Sequence, residues 1–238
     1  KLASKKFKAG SSEDAKMIYN EILAKFPRNK KANNGLKALL DKPFKKEAKV
    51  RKLQQEKINQ LKNLYDQGQL LAVVDLAHRL TLEYPNAFII WNYLGAARAQ
   101  IGQLDTARQA LKKVTQLNPN FADGHNNYGN CLKELGNQEE AIQAYSKAAA
   151  INPYYAEAHY NMGTIFQDKG ELEAAIDAYS KALAINPDYA SAFYNIGLAF
   201  QAQGNLSKAV EAYKKAIALE PKHVAAQANM GVALQKQG

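Results

Sequence analysis

The chain has 238 residues, 47% hydrophobic and 23% charged, with a single cysteine; this composition suits a folded protein with a sizeable core and excludes a disulfide-stapled scaffold. No run of about 18 apolar residues occurs, so no membrane-spanning helix is expected, and the lysine-rich start lacks the apolar stretch of a secretory leader, so none is expected there. The formal charge of +10 is local: residues 1–53 hold 16 Lys/Arg against 5 Asp/Glu, and the remaining residues 16 against 17.

A basic segment of this kind can meet phosphates, an anionic surface or an acidic partner. Its aromatics, Phe7, Phe26 and Phe44, are scattered rather than grouped for stacking, so a solvated face is expected and nucleic-acid or anionic-surface binding is the lesser reading. Gly10, Ala15, Tyr19 and Pro27 carry a spacing that returns downstream in the second helix of a repeat. KANNGLKALL at 31–40 reads as the first helix of the next unit, so residues 1–40 form a basic, partial repeat. Pro43 and the lysines around it then mark 41–53 as a junction, after which a helix is expected from Gln54 to Asp66.

From residue 54 the chain repeats every 34 residues: 54–87, 88–121, 122–155, 156–189, 190–223, and a truncated unit at 224–238. Asn118-Pro119, Asn152-Pro153, Asn186-Pro187 and Glu220-Pro221 close successive units, and Gly102, Gly136, Gly170 and Gly204 divide each into two helical stretches. Glycine ends the first helix because it accepts the left-handed conformation, and proline opens the turn into the next unit. The 54–87 unit is degenerate, with Leu61 where the others place a glycine inside the first helix. Those internal glycines, Gly95, Gly129, Gly163, Gly197 and Gly231, each cost about 1 kcal/mol relative to alanine. Their recurrence implies a second helix passing too close for a methyl group, and Ala107, Ala141, Ala175 and Ala209 are the expected facing residues.

Polar residues inside these apolar helices are the candidate site. Asn127, Asn161, Asn195 and Asn229 share one slot, which Tyr93 fills upstream and Asn33 in the interrupted unit. Asn130 and Thr164 follow one turn later, on a stripe turned away from the packed side. An amide carries both donor and acceptor, which suits the backbone of an extended peptide whatever its sequence. Tyr160 and Tyr194 beside the row, with Gln167 and Gln201, are expected to add side-chain preference, whereas Tyr145, Tyr179 and Tyr213 belong to the core. Cys131 reads as a small buried hydrophobe. His125 and His159 stand where neighbouring units have Trp91 and Phe193; no third ligand shares their slot, so they read as packing residues rather than a metal site. No phosphate-cradling loop and no nucleophile with its base occurs, so neither catalysis nor a cofactor is expected of these residues.

The pattern of Trp91, Leu94, Gly95, Ala107 and Pro119, with Leu111 in an aromatic slot, resembles the tetratricopeptide repeat family. The resemblance implies an all-α, right-handed α-solenoid superhelix of stacked helix-turn-helix repeats whose first helices line a concave binding face. The asparagine row is similar to the asparagine ladder in the repeat arrays of O-linked N-acetylglucosamine transferases, which implies a cytoplasmic protein-interaction scaffold holding extended polypeptide in its groove. A second implied reading is the substrate-recruiting region of a larger glycosyltransferase or sulfotransferase, with its catalytic domain outside this chain. Asp123, Glu157, Ser191 and Ala225 stand where a clamp for a chaperone's acidic tail would need lysine, so that ligand is not expected. In the last unit Met230, Val232 and Leu234 have no second helix to cover them, which predicts either a longer native array or end-to-end self-association.

Overall fold

The computed structural model describes residues 12–237, with side chains for 15–38 and 53–237. Phe7, Gly10 and the side chains of Phe44 and the 41–52 lysines lie outside the described residues. The chain divides into two compact units, with the boundary between Gln60 and Leu61.

In the first unit α1 (Ser12–Lys25) packs on the start of α2 (Lys30–Asp66). Ala15, Tyr19 and Ala32 are buried together with Ile18, Ile22, Leu23 and Leu36 around them. The Tyr19 ring occupies the space a side chain at Gly35 would need. Helix α2 begins at Lys30, not at Gln54, and continues through Pro43. Proline removes one backbone donor and costs about 3 kcal/mol in a helix interior. Leu39, Leu40, Lys45, Lys46, Glu47, Ala48 and Lys49 around it are all strong helix formers, which is the local preference that carries the helix across it.

From Leu61 the last turns of α2 serve as the first helix of the repeat array. Then follow α3 (Leu70–Glu83), α4 (Phe88–Gln100), α5 (Leu104–Leu117), α6 (Ala122–Glu134), α7 (Gln138–Ile151), α8 (Ala156–Asp168), α9 (Leu172–Ile185), α10 (Ala190–Ala202), α11 (Leu206–Leu219) and α12 (Val224–Gln237). From α3 on successive helices pack on one another, and each of α4, α6, α8 and α10 also touches the next first helix. This one-dimensional stacking of helix pairs is an α-solenoid. No helix among the described residues is long and apolar enough to cross a membrane.

The turns follow the expected chemistry. Gly102 takes φ +79°; its N–H donates to the Ala99 carbonyl and that of Gln103 to the Arg98 carbonyl, which closes the last turn of α4. At the other end of each unit the side-chain oxygens of Asn118, Asn152 and Asn186 accept from the backbone N–H two residues on, bending the chain around the following proline.

The internal glycines do face a second helix, but their partner is not the alanine. A Cβ added at Gly129 or Gly163 would lie 2.6 Å from the ring of Tyr145 or Tyr179, and one at Gly95 2.5 Å from Leu111. Ala141 and Ala175 are buried one turn earlier on the same face; only the longer ring reaches the notch. Tyr145, Tyr179 and Tyr213 are the largest fully buried side chains of the chain's described part. At the C-terminal end a Cβ on Gly231 would meet nothing within 4 Å. Val232 and Leu234 are exposed there, while Met230 is not uncovered as expected: it packs on the cluster around Ala209, Tyr213 and Ala233.

Candidate functional site

The position eight residues after each closing proline faces the preceding repeat. The Nδ2 of Asn127 donates to Asn92 Oδ1 at 3.0 Å, and that of Asn161 to Asn126 Oδ1 at 3.3 Å and Asn130 Oδ1 at 3.1 Å. Asn195 donates to the Tyr160 hydroxyl and Asn229 to the Tyr194 hydroxyl, both at 3.1 Å. One row of donors, 127, 161, 195 and 229, thus meets one row of acceptors, 92, 126, 160 and 194, each pair 35 residues apart. Asn161 and Asn126 are buried and the other asparagines half-buried. These bonds satisfy amide groups that would otherwise be costly inside a helix interface.

The rows leave hydrogen-bonding capacity unspent. Among the described residues none of the four donor-row Oδ1 atoms accepts a bond, and the second N–H of Asn127 and Asn229 is also without a partner, whereas Asn195 lies within reach of the Tyr179 hydroxyl as well as that of Tyr160. Asn161 spends both N–H groups and keeps only its oxygen. Gln167 and Gln201 accept from the buried hydroxyls of Tyr179 and Tyr213 at 3.0 Å through Oε1, leaving their own N–H groups unspent. Asn130 accepts from Tyr145 at 2.7 Å as well as from Asn161. Thr164 turns back on its own helix, donating to the Asn161 carbonyl at 2.8 Å.

The two tyrosines beside the row are held inside the array. Tyr160 stacks on Tyr189 with ring centres 4.7 Å apart and leans on Tyr179; Tyr194 leans on Tyr213 and His223. Burial pushes the Tyr160 phenol up, and raises that of Tyr213 to about 12. Asn92 and Asn126 were missed in the sequence reading, although they recur with Tyr160 and Tyr194 at the same period of 34.

A second slot ties α4, α6 and α12 to the turn before each. Trp91 Nε1 donates to the Pro85 carbonyl at 2.9 Å, His125 Nε2 pairs with that of Pro119 at 2.9 Å, and Gln227 donates to that of Pro221 at 2.8 Å. Asn33 makes the same bond to Pro27 at 3.2 Å, so it belongs to this slot and Gly35 to the asparagine slot. His159 lacks the bond; its buried Nδ1 has no partner, and burial with Lys181 nearby holds its pKa below the usual value. Among the described residues no group of three His, Cys, Asp or Glu is placed to hold a metal.

Between α4 and α6 the row of first helices opens into a cavity of about 400 Å³, lined in part by Ala96, Ala99, Leu111, Asn127, Asn130 and Glu134. Cys131 lies at its wall, buried, its thiol donating to the Leu104 carbonyl at 3.4 Å. Burial pushes that thiol up, away from a reactive thiolate. Helices α6 and α8 carry four carboxylates, Asp123, Glu134, Glu157 and Asp168, and one lysine, Lys133.

Comparison with known proteins agrees with the period. Models described as tetratricopeptide repeat match residues 59–120, 110–143 and 190–223, and one described as TPR repeat matches 129–170 and 163–204. No curated protein matches. Among solved structures the chain is similar to MamA, 29% identical over 68% of this chain and 95% of that one, with a TM-score of 0.62. It is similar in fold to YrrB, described as a TPR protein with an unusual peptide-binding site, at 22% identity over 72% and 88% and a TM-score of 0.60. The same holds for TTC0263, a thermophilic TPR protein of Thermus thermophilus, at 22% identity over 76% and 98% and a TM-score of 0.60.

Proposed function

The chain belongs to the tetratricopeptide repeat family, and we propose that it is a protein-interaction scaffold holding an extended polypeptide along the row of its first helices. The observation that carries this reading is the unspent amide oxygen at one asparagine in each of four successive units, with a spare N–H at Asn127 and Asn229. Packed helices stand about 8–10 Å apart, and three residues of extended peptide span about 10 Å. One amide per repeat therefore meets every third residue of a ligand, through backbone groups present in any sequence. The N–H tie between repeats orients each amide before a ligand arrives, which lowers the ordering cost of binding. A fold neighbour is described as having a peptide-binding site, which is consistent with this use of the scaffold.

The test is selection of peptides from a phage-displayed random library on the full chain, then binding to a variant carrying Asn127→Ala, Asn195→Ala and Asn229→Ala. A folded variant should lose at least tenfold in affinity; unchanged affinity would remove the reading.

The face of α12 supports a second contact. Gly231 opens onto empty space where Gly129, Gly163 and Gly197 hold a ring, beside exposed Val232 and Leu234, and we assign end-to-end self-association of the chain to this face. Light scattering over a concentration series tests it, and a strictly monomeric protein at all concentrations counts against it.

A further inference from the structure

The repeat at 88–121 departs from its neighbours at two positions that meet in space. Leu111 stands where Tyr145, Tyr179 and Tyr213 stand in the following repeats, and Ala99 stands in the slot of Gln167 and Gln201. In the repeats at 156–189 and 190–223 the tyrosine hydroxyl crosses the helix pair to that glutamine. Here both ends of the bond are missing at once, and the cavity of about 400 Å³ lies at this place. Its lining pairs apolar Ala96, Ala99 and Leu111 with Asn127, Asn130 and Glu134. Asn127 brings the first amide of the donor row, so a polypeptide held by that row passes the opening.

We propose that this cavity is the side-chain pocket of the groove and takes an aromatic side chain from the bound polypeptide, next to a basic residue of the same ligand. The inference rests on the groove reading and names its ligand class. An aromatic ring fits because the repeats at 156–189 and 190–223 fill the equivalent space with a phenol ring and its glutamine, which Leu111 and Ala99 replace here, while Tyr65, held by Gln100 Nε2 at 2.6 Å, also lines the cavity and offers a ring to pack against. Its polar edge suits a ring with a hydroxyl or indole N–H as well as a bare one. The neighbouring basic residue follows from charge: Glu134 lines the cavity, and Asp123, Glu157 and Asp168 extend the negative row along α6 and α8 against Lys133 alone.

Leu111→Tyr tests the pocket, because Gly95 keeps the notch that accepts a tyrosine in the other repeats, and Ala99→Gln fills the same space from the other helix should the first variant fail to fold. Peptides selected from the random library on the full chain should be enriched in Phe, Tyr or Trp beside Lys or Arg. They should bind either filled variant at least tenfold more weakly. Equal binding to the filled variants, or enrichment of aliphatic or acidic residues instead, overturns the proposal.

A second arm does not depend on the groove. Cys131, the only cysteine, lines the cavity, so p-cresol should slow its modification by a thiol reagent in the full chain and leave the residual rate of Leu111→Tyr unchanged. Equal effects of p-cresol on both proteins overturn the pocket. If p-cresol protects Cys131 while the triple asparagine variant keeps full peptide affinity, the aromatic pocket stands and the groove reading falls. If the triple variant loses affinity while filling the cavity changes nothing, the groove stands and the pocket falls.

Discussion

Asn195 donates a side-chain N–H to the hydroxyl of Tyr160, 35 residues earlier and 3.1 Å away, and thereby ties two repeats together while its amide oxygen accepts nothing among the described residues. The two duties of this amide can be separated by removing one partner at a time.

Tyr160→Phe deletes only the acceptor of the tie, whereas Asn195→Ala deletes the tie and the free oxygen together. Each should cost about 0.5–1.5 kcal/mol of stability in urea unfolding, the net worth of one such bond. Only Asn195→Ala should weaken binding of library-selected peptides. Tyr194→Phe and Asn229→Ala form the same pair one repeat on. Equal loss of peptide binding in both members of a pair would mean that the amide acts through the array alone.

The glycine notches predict opposite signs for one substitution. Gly163→Ala drives a methyl group against the buried ring of Tyr179 and should destabilise by about 1–3 kcal/mol, the usual cost of overpacking. Gly231→Ala meets open space and should stabilise α12 by about 0.5–1 kcal/mol through helix propensity. Chemical unfolding followed by circular dichroism measures both, and a stabilising Gly163→Ala would show that Tyr179 yields easily.

Stability should fall on both sides of neutrality. Burial raises the Tyr213 phenol from 10.0 to about 12, so between those values the unfolded chain releases a proton that the folded one keeps, and stability drops as pH rises through the window. On the acid side burial, then Lys181, depress His159, opposed in part by Asp177. The unfolded chain therefore binds the proton first, and stability is lost as pH falls below the ordinary histidine value of about 6.5. Urea midpoints from acid to alkaline pH should show both declines. His159→Phe, which copies Phe193 of the next repeat, should flatten the acid limb alone.

A fragment of residues 54–238 should fold by itself. The compact array begins at Leu61, and stacked repeats draw their stability from nearest neighbours. Its urea midpoint should match the array transition of the full chain, and its peptide affinity should persist without the basic residues 1–53. Collapse of helicity in this fragment would show that the array needs the first unit.

The period of 34, the paired helices and the turn chemistry were legible in the sequence because each is local. A glycine with φ +79° at Gly102, an asparagine bonding two residues ahead of itself at Asn118, and an apolar face repeating at helical spacing all act within one or two turns of chain. The asparagine row was legible for the same reason. Its partners were not: that Gly163 meets Tyr179 rather than Ala175, and that Asn161 spends both N–H groups on Asn126 and Asn130, depend on the distance between side chains of different segments. The passage of α2 through Pro43 was a balance between one costly residue and many favourable ones, which the proline alone misreported. The cavity beside Leu111 is likewise a tertiary fact, since the sequence names a smaller residue at that slot, but only the close approach of α4 and α6 turns the missing atoms into a space.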